Sequence, residues 1–205
     1  MNFQKLLENE IELIKKREVK PKLLLHACCG PCSSYIIEYL SKYFDITIYY
    51  YNPNTYPETE YNRRLDELNK FIISFNNCVR VVEGNYEPGE FYKAIKGLEH
   101  LGEKSQRCYN CYKLRMEKSA IYAKKNNYDY FTTTLSISPY KNAEWINAIG
   151  KKLEAEIGIK YLYSDFKKKN GYIRSIELSK EYGLYRQEYC GCVYSKQERE
   201  TMVKL

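Results

Sequence analysis

The alternation of apolar and polar positions along the chain predicts β-strands that alternate with α-helices. Runs of about four to eight residues rich in apolar, β-branched and aromatic side chains are typical of buried strands. Longer segments with apolar residues at helical spacing lie between them. The predicted strands are 22–27, 45–52, 78–84, 129–135 and 160–166. The predicted helices are a leading helix within 1–19, followed by 33–42, 57–75, 89–97, 111–127, 139–158 and 173–183.

Strands that alternate with helices favour a parallel sheet covered by helices on both faces. The carboxyl ends of parallel strands meet at one edge of such a sheet, where loops carry the chemistry. Three segments follow predicted strands and are expected to share that edge: 28–32, the Asn52-Pro53-Asn54 turn and the loop after Leu135. With neither an internal repeat nor a linker, the chain is expected to form one α/β domain over 1–205, with its core at 22–195.

The composition is that of a soluble globular protein, with 44% hydrophobic and 29% charged residues. No apolar run approaches the length of a membrane-spanning helix, and the N-terminus lacks the apolar stretch and cleavage site of a secretory signal. We therefore expect a cytoplasmic protein with no membrane partner. The net charge of +7 and the 23 tyrosines suit RNA, but 24 lysines against 9 arginines also follow from AT-rich coding. Composition can support a nucleic-acid function argued elsewhere, but it does not establish one.

Seven of the eight cysteines fall into three tight groups. Cytosolic thiols are kept reduced, so clustered cysteines there indicate metal binding or redox catalysis instead of structural disulfides. Cys78 stands alone in an apolar stretch, which is typical of a buried, inert thiol. The three groups are Cys28/Cys29/Cys32, Cys108/Cys111 and Cys190/Cys192.

Two functions account for only some of these cysteines. Cys29-Gly30-Pro31-Cys32 after a strand and at the head of a helix is typical of a thioredoxin-type thiol–disulfide exchanger, in which the helix dipole lowers the thiolate pKa. One exchanging pair leaves the other two groups unused. Two Cys-x-x-Cys pairs could also close a zinc site, as in a zinc-binding, RNA-binding module without catalysis. The pairs are 75 residues apart, however, which is far longer than in a compact zinc ribbon.

An iron–sulfur cluster accommodates more of the thiols. Four thiolates from separate segments can converge on a cubane, and such a cluster passes electrons, which zinc cannot do. The remaining Cys190-Gly191-Cys192 pair would close a small, strained disulfide ring that is comparatively easy to reduce. The spacing by itself does not prove this assignment over the other two.

Five segments occur together in this order: HACCGPC (26–32), YNPNTYPETEYNRR (51–64), RCYNCYKLRM (107–116), TTTLSISPYKN (132–142) and DFKKKNGYIRSIELSKEYGLYRQEYCGCVYS (165–195). This set resembles the QueH-type epoxyqueuosine reductases over nearly all of residues 22–195. The resemblance implies the last step of queuosine biosynthesis, in which the epoxide of epoxyqueuosine at the wobble position of tRNA is reduced to queuosine by an unidentified electron donor. It also implies a [4Fe–4S] cluster and a three-layer fold related to the HUP-type (adenine nucleotide alpha hydrolase-like) domains.

The resemblance also implies roles for individual cysteines. It makes Cys190 and Cys192 a redox-active pair that takes part in catalysis. Family members vary at the position of Cys32, and a thiolate there could hold a second metal ion, iron or zinc, beside the cluster. The implied cluster ligands are Cys28, Cys29, Cys108 and Cys111.

Opening an epoxide to an alkene takes two electrons and two protons and releases the ring oxygen as water. Charge that develops on this oxygen can be neutralised by a metal ion or a general acid. Asp165, Lys141 and Tyr140 are candidates on predicted strand-end loops. Their ordinary roles would be an ion pair, a solvated lysine and a core tyrosine. His26, at the end of an apolar strand, is expected to be a hydrogen-bonded core residue.

Substrate binding requires the modified base to leave its anticodon stack and enter the crevice. Asn52 and Asn54 could hydrogen-bond the base, and Arg63 or Arg64 could reach phosphate. The lysines at 167–169 could also contact phosphate, which would make tRNA binding dependent on salt. Taken singly, each of these residues is more typical of a solvated surface.

Overall fold

Short apolar runs form five parallel strands in a computed structural model that describes residues 1–75 and 79–203. The strands are β1 (Lys22–His26), β2 (Asp45–Tyr50), β3 (Arg80–Glu83), β4 (Tyr130–Thr133) and β5 (Lys160–Tyr161). They pair in the order β3-β2-β1-β4-β5. Leu23 pairs with Ile46 on one side and with Tyr130 on the other, so β1 is the central strand. The parallel sheet predicted from the sequence is confirmed.

Helices cover both faces of this sheet. Within the described residues they are α1 (Phe3–Ile14), α2 (Gly30–Leu40), α3 (Glu58–Ser74), α4 (Pro88–Ala94), α5 (Gln106–Lys125), α6 (Ala143–Ile157), α7 (Gly171–Glu181) and α8 (Val193–Val203). A 3-10 turn at Thr134–Ile137 follows β4. None of these helices combines the length and the apolar character that crossing a membrane requires.

The three layers follow from the alternation of side chains along the strands. Leu23 and Leu25 of β1 pack on the face covered by α1, α2 and α3. Leu24, which lies between them, packs on the opposite face with α5 and α6. Each face therefore has its own hydrophobic core, and the three-layer, HUP-like α/β arrangement is confirmed.

Three helices begin at other residues than the predicted ones. α2 begins at Gly30 instead of residue 33, with Pro31 in its first turn, where a missing N–H has no consequence. α5 begins at Gln106 instead of residue 111. α6 begins after Asn142, whose side-chain oxygen accepts hydrogen bonds from two backbone N–H groups of the first turn, at 2.9 and 3.1 Å.

Two further elements depart from the prediction. α8 has no predicted counterpart, because its residues are mostly charged and polar and show no clear apolar stripe. The last strand was predicted at 160–166, but β5 ends at Tyr161. Cys78, predicted to be a buried and inert thiol, lies outside the described residues.

Candidate functional site

The carboxyl ends of the central strands open a crevice at the point where the strand order reverses. β2 lies on one side of β1 and β4 on the other, so the loops after β1 and β4 diverge. The structure brings together the three segments predicted to share this edge. Cys28 Sγ, after β1, lies 3.7 Å from Thr134 Oγ1, after β4. Asn52 Nδ2, after β2, donates to the carbonyl oxygen of Ala27 at 2.9 Å.

A cavity of about 470 Å³ occupies this crevice. Its volume lies within the usual range of small-molecule sites. Thiols from all three cysteine groups line it: Cys28, Cys32, Cys108, Cys190 and Cys192. Basic and aromatic side chains form much of the remaining wall, among them Lys104, Lys141, Arg115, Arg186, Tyr140 and Tyr189. The cavity therefore combines sulfur ligands with positive charge.

The first cysteine group forms a compact set of thiols between β1 and α2. The Sγ atoms of Cys28, Cys29 and Cys32 lie within 4.8 Å of one another, and those of Cys28 and Cys29 are 3.8 Å apart. Hydrogen bonds from Cys29 and Cys32 lower the pKa of Cys28 well below its usual range, while the hydrogen bond to Cys28 raises the pKa of Cys29 to about 12. Such a set, with one favoured thiolate, can bind a soft metal ion.

The second cysteine group reaches the crevice on α5, from the other face of the sheet. Cys108 and Cys111 are three residues apart and therefore lie on one side of this helix. Cys108 lines the cavity, and Cys111 is buried against Phe91 and Ile95. Burial raises the pKa of Cys111 to about 11, and it raises that of Cys108 as well. Binding of a metal ion would have to displace both protons.

The third cysteine group lies in the loop between α7 and α8. The Cys190 N–H donates to Ser195 Oγ at 2.9 Å, and the Gly191 carbonyl accepts from the Tyr56 N–H at 2.8 Å. Gly191 has a φ of +133°, a conformation that strongly favours glycine. Cys192 is buried, and burial raises the pKa of its thiol to about 12. Backbone contacts thus hold this loop against the cavity.

Arg64 on α3 holds the same loop through hydrogen bonds to its backbone. Its Nη1 and Nη2 atoms donate to the carbonyl oxygens of Cys190 at 3.1 Å and Tyr189 at 3.4 Å. Its Nε donates to Glu60 Oε1 at 2.7 Å, so the charge is paired within the helix. The expectation that Arg64 contacts phosphate from a solvated surface is wrong, because the residue is 1% exposed and its donors point inward.

Asn52 and Asn54 are also buried, which corrects the expectation of a solvated surface for them. Asn52 connects the end of β1 to α5. Its Nδ2 donates to the Ala27 carbonyl oxygen, and its Oδ1 accepts from Arg115 Nη2 at 2.6 Å. Both ends of its amide therefore make hydrogen bonds within the protein. Arg63 is exposed, and its guanidinium stacks 3.4 Å from the centre of the Tyr185 ring.

Two residues of the site were not identified from the sequence. Arg115 is buried at the cavity and follows Cys111 by one helical turn. The spacing of Cys108, Cys111 and Arg115 on one side of α5 is the signal that could have indicated it. Gln187 donates from Nε2 to Cys29 Sγ at 3.0 Å, but it lies in an irregular loop where no local pattern points to it.

Of the three proton-donor candidates, Lys141 and Tyr140 line the cavity. Burial by itself would lower the pKa of Lys141, but the attraction of the neighbouring cysteine sulfurs, first Cys190 and then Cys28, outweighs it and raises the pKa. Lys141 is therefore a cation that faces sulfur, and not a solvated lysine. Tyr140 is 65% exposed at the rim, so it is not a core tyrosine.

Asp165, the third candidate, has its ordinary role of an ion pair. It contacts Lys167 at 2.5 Å, and it does not belong to the lining of the cavity found in the described ranges. Lys169 in the same lysine run pairs with Glu8. Both lysines are therefore paired with carboxylates, while the side chain of Lys169 stays largely exposed.

His26 is a hydrogen-bonded core residue, as predicted. Its Nε2 lies 3.2 Å from the Tyr51 carbonyl oxygen, and its Nδ1 lies 2.8 Å from Thr133 Oγ1. Because the carbonyl can only accept, Nε2 carries the proton and Nδ1 accepts from the threonine hydroxyl. Burial lowers the pKa of His26 to about 3, so it stays neutral.

Comparisons with known proteins agree on one family. The family model described as epoxyqueuosine reductase QueH matches residues 23–198. A relative with that name from Streptococcus pyogenes serotype M1 is 42% identical over 199 residues, which cover 95% of this chain and 78% of the relative. Another from Staphylococcus epidermidis is 43% identical over 201 residues, covering 95% and 84%. A third from Thermotoga maritima is 39% identical over 178 residues, covering 86% and 91%.

Proposed function

The chain belongs to the QueH family of epoxyqueuosine reductases and is an oxidoreductase, and from this premise we propose that it reduces the epoxide of epoxyqueuosine at the tRNA wobble position to queuosine. The family resemblance recognised in the sequence is confirmed by the comparisons. The observation that carries the proposal is the convergence of the three cysteine groups on one cavity of substrate size.

The donor set suits a [4Fe–4S] cluster. Cysteine thiolates are the ligands that iron–sulfur clusters require. Two observations support the proposal: Cys28 and Cys29 form a compact pair of sulfurs after β1, and Cys108 on α5 lines the same cavity as Cys28. The buried guanidinium of Arg115, which has no ion-pair partner within residues 1–75 and 79–203, supports a ligand set that carries negative charge when loaded. The cluster would supply electrons one at a time. The residues proposed to hold it are Cys28, Cys29, Cys108 and Cys111.

Cys32 is left over by this assignment. Its Sγ lies within 4.8 Å of the sulfurs of Cys28 and Cys29, and it faces the cavity. A thiolate in that position could hold a second ion, iron or zinc, next to the substrate. Counting iron and zinc per chain tests this point, because metal content that one cubane fully explains would remove the second ion.

Cys190 and Cys192 are proposed as the two-electron element. In the balanced step, the two thiols give up two electrons and two protons and become a disulfide. The epoxide takes them up, both of its C–O bonds break, a C=C bond forms, and the oxygen leaves as water. A one-electron donor protein then restores the thiols in two steps. Arg64 and Ser195 hold the loop so that the pair stays at the cavity wall.

Lys141 is proposed to stabilise the negative charge that develops on the epoxide oxygen. It is the one of the three candidates that is both cationic and enclosed by the cavity. A cation held in a poorly solvated site stabilises such a charge more strongly than one in water. Its charge persists in the resting site because the sulfurs around it attract it.

The substrate side of the cavity suits an extruded nucleotide of tRNA. Tyr140 and Tyr189 offer faces on which a base can stack, and Lys104 and Arg186 stand at the same opening. Such a substrate places the proposed reaction in the cytoplasm. Binding is expected to weaken as salt rises, since phosphate contacts release counterions.

The decisive experiment is mass spectrometry of tRNA nucleosides after anaerobic incubation of the iron-reconstituted protein with epoxyqueuosine-bearing tRNA and a reductant. Queuosine should form with the wild type. Cys190→Ser should keep its iron but lose turnover, whereas Cys111→Ala should lose both. A colourless protein with stoichiometric zinc and no queuosine would support a zinc-binding, RNA-binding module instead.

A further inference from the structure

Arg115 is a buried charge whose partner is not a carboxylate. Arg115 lies on α5, is 2% exposed and lines the sulfur-rich cavity. Its Nη2 donates to Asn52 Oδ1 at 2.6 Å, while its Nε has no hydrogen-bond partner. Among residues 1–75 and 79–203, no Asp or Glu lies within ion-pair distance of its guanidinium. Burying an arginine in such surroundings lowers the free energy of unfolding unless an anion faces the guanidinium.

The other two deeply buried arginines show what a compensated charge looks like in this fold. Arg64 is paired with Glu60 at 2.7 Å, and Arg107 with Glu198 at 2.9 Å. Arg115 is therefore an exception that needs its own explanation.

Sulfur-bearing side chains share the surroundings of Arg115. Cys111 precedes it by one helical turn on α5, and Cys28, Cys108 and Cys190 line the same cavity. Without a cluster, Cys28 is the thiol among these that favours the anionic form, whereas burial keeps Cys108 and Cys111 protonated. As ligands of an iron–sulfur cluster, Cys28, Cys108 and Cys111 would all carry negative charge.

Asn52 fixes where that positive charge points. Its amide is anchored on the Ala27 carbonyl at the end of β1, directly before the first cysteine group. Its oxygen then holds Nη2 of Arg115. The end of β1 and α5 are thereby joined through Asn52, which holds the Arg115 guanidinium at the cavity that Cys28 and Cys108 also line.

We infer that Arg115 is the buried counter-charge of the iron–sulfur cluster and that it raises the cluster's reduction potential. This inference rests on the proposed function, since it needs the cluster to be present. A cluster held by four thiolates gains one more negative charge when it is reduced, and a nearby fixed cation favours that reduced form. Arg115 would act on the reduction potential of the cluster and not on the substrate. It is therefore a positioning residue and not a catalytic residue.

The test is redox titration of reconstituted protein under anaerobic conditions, followed by visible absorbance and electron paramagnetic resonance. Arg115→Gln should shift the one-electron equilibrium at least tenfold towards the oxidised cluster, which corresponds to about 59 mV more negative. Arg80→Gln is the matched control, because it removes the same charge from the exposed edge strand β3. Its potential should equal that of the wild type. Arg115→Lys, which keeps the charge, should retain most of the wild-type potential.

Asn52→Asp provides an independent arm, because it leaves Arg115 in place and adds a carboxylate that neutralises it. Its potential should also become more negative. Unchanged potentials in Arg115→Gln or Asn52→Asp, with the cluster intact, would overturn the inference. If Arg115→Gln assembles no cluster, retention of the cluster in Arg115→Lys supports the role of charge, and loss from both contradicts it. Failure of the wild type to bind any cluster would instead count against the proposed function.

Discussion

Two arginines on opposite faces of the sheet are equally buried, yet their surroundings differ. Arg64 on α3 is 1% exposed, and Arg115 on α5 is 2% exposed. Arg64 meets a carboxylate and two carbonyl oxygens, so its charge is satisfied by the polypeptide itself. Arg115 meets one amide oxygen and a group of sulfurs. Burial alone therefore does not reveal what a charged residue does; the identity of its partners does.

The two arginines therefore have different roles at one site. The α3 side is complete without a cofactor and holds the loop that carries Cys190 and Cys192. The α5 side is complete only when its thiols carry negative charge. Substitutions on the two sides should therefore have different consequences for the metal-free protein.

The largest effect is expected for Arg64→Met. It leaves Glu60 buried without its cation, and breaking a buried ion pair costs about 3–5 kcal/mol of the free energy of unfolding. Urea denaturation of the metal-free protein under reducing conditions measures this loss. The double variant Glu60→Gln/Arg64→Met should recover part of it, since no charge is stranded. A loss below about 1 kcal/mol in the free energy of unfolding would contradict a stabilising role for the buried pair of Arg64 and Glu60.

Arg115→Met should cost less than Arg64→Met in the same metal-free titration. It strands no carboxylate and leaves only the oxygen of Asn52 without its donor, a loss of about 1–3 kcal/mol. A cost equal to or above that of Arg64→Met would show that Arg115 has a compensating partner in the polypeptide, and the comparison between the two sides would fail.

Gly191→Ala should reduce turnover without removing iron. The new methyl group would lie 2.9 Å from Arg64 Nη1, and alanine rarely adopts a φ of +133°. We expect the loop to shift and queuosine formation to slow about tenfold, equivalent to about 1.4 kcal/mol in the barrier. Gly183→Ala is the matched control, because its φ is +59° but nothing lies within 4 Å of the added carbon. Equal rates in the two variants would refute the steric argument.

The smallest effect is expected one residue away, for Arg63→Gln. Arg63 is exposed, and its contact is the face of Tyr185 at 3.4 Å. Loss of an exposed cation–π contact costs about 0.5–1 kcal/mol. Urea denaturation beside Arg64→Met measures the contrast between neighbours. A loss above about 2 kcal/mol would mean that Arg63 also stabilises the loop.

The regular features of the fold could be predicted because they depend on nearby residues. A run such as Leu23–Leu25 is apolar throughout, as a central parallel strand must be, and the helices between such runs imply a parallel sheet. The sheet edge then follows, and with it the expectation that 28–32 lies beside the loop after Leu135. His26 could be assigned to the core for the same reason.

Sequence patterns did not predict a helix boundary or the role of a residue where these depend on a single contact. The start of α6 is set by one asparagine side chain, and α8 has too few apolar residues to show a period. Nothing in YNRR distinguishes Arg63 from Arg64, yet one is solvated and the other fully enclosed.

The layered α/β fold could be predicted from periodicity, the family from the resemblance of five segments and the set of thiols from composition, because all three are features of short stretches of chain. The charges that those thiols meet became visible only in the folded molecule. Arg64 contacts Cys190, which is 126 positions away in the sequence, and Arg115 contacts Asn52, which is 63 positions away. Such partners are selected by the packing of distant segments, since the free energy of a buried charge depends on everything that surrounds it in space and not on its neighbours along the chain.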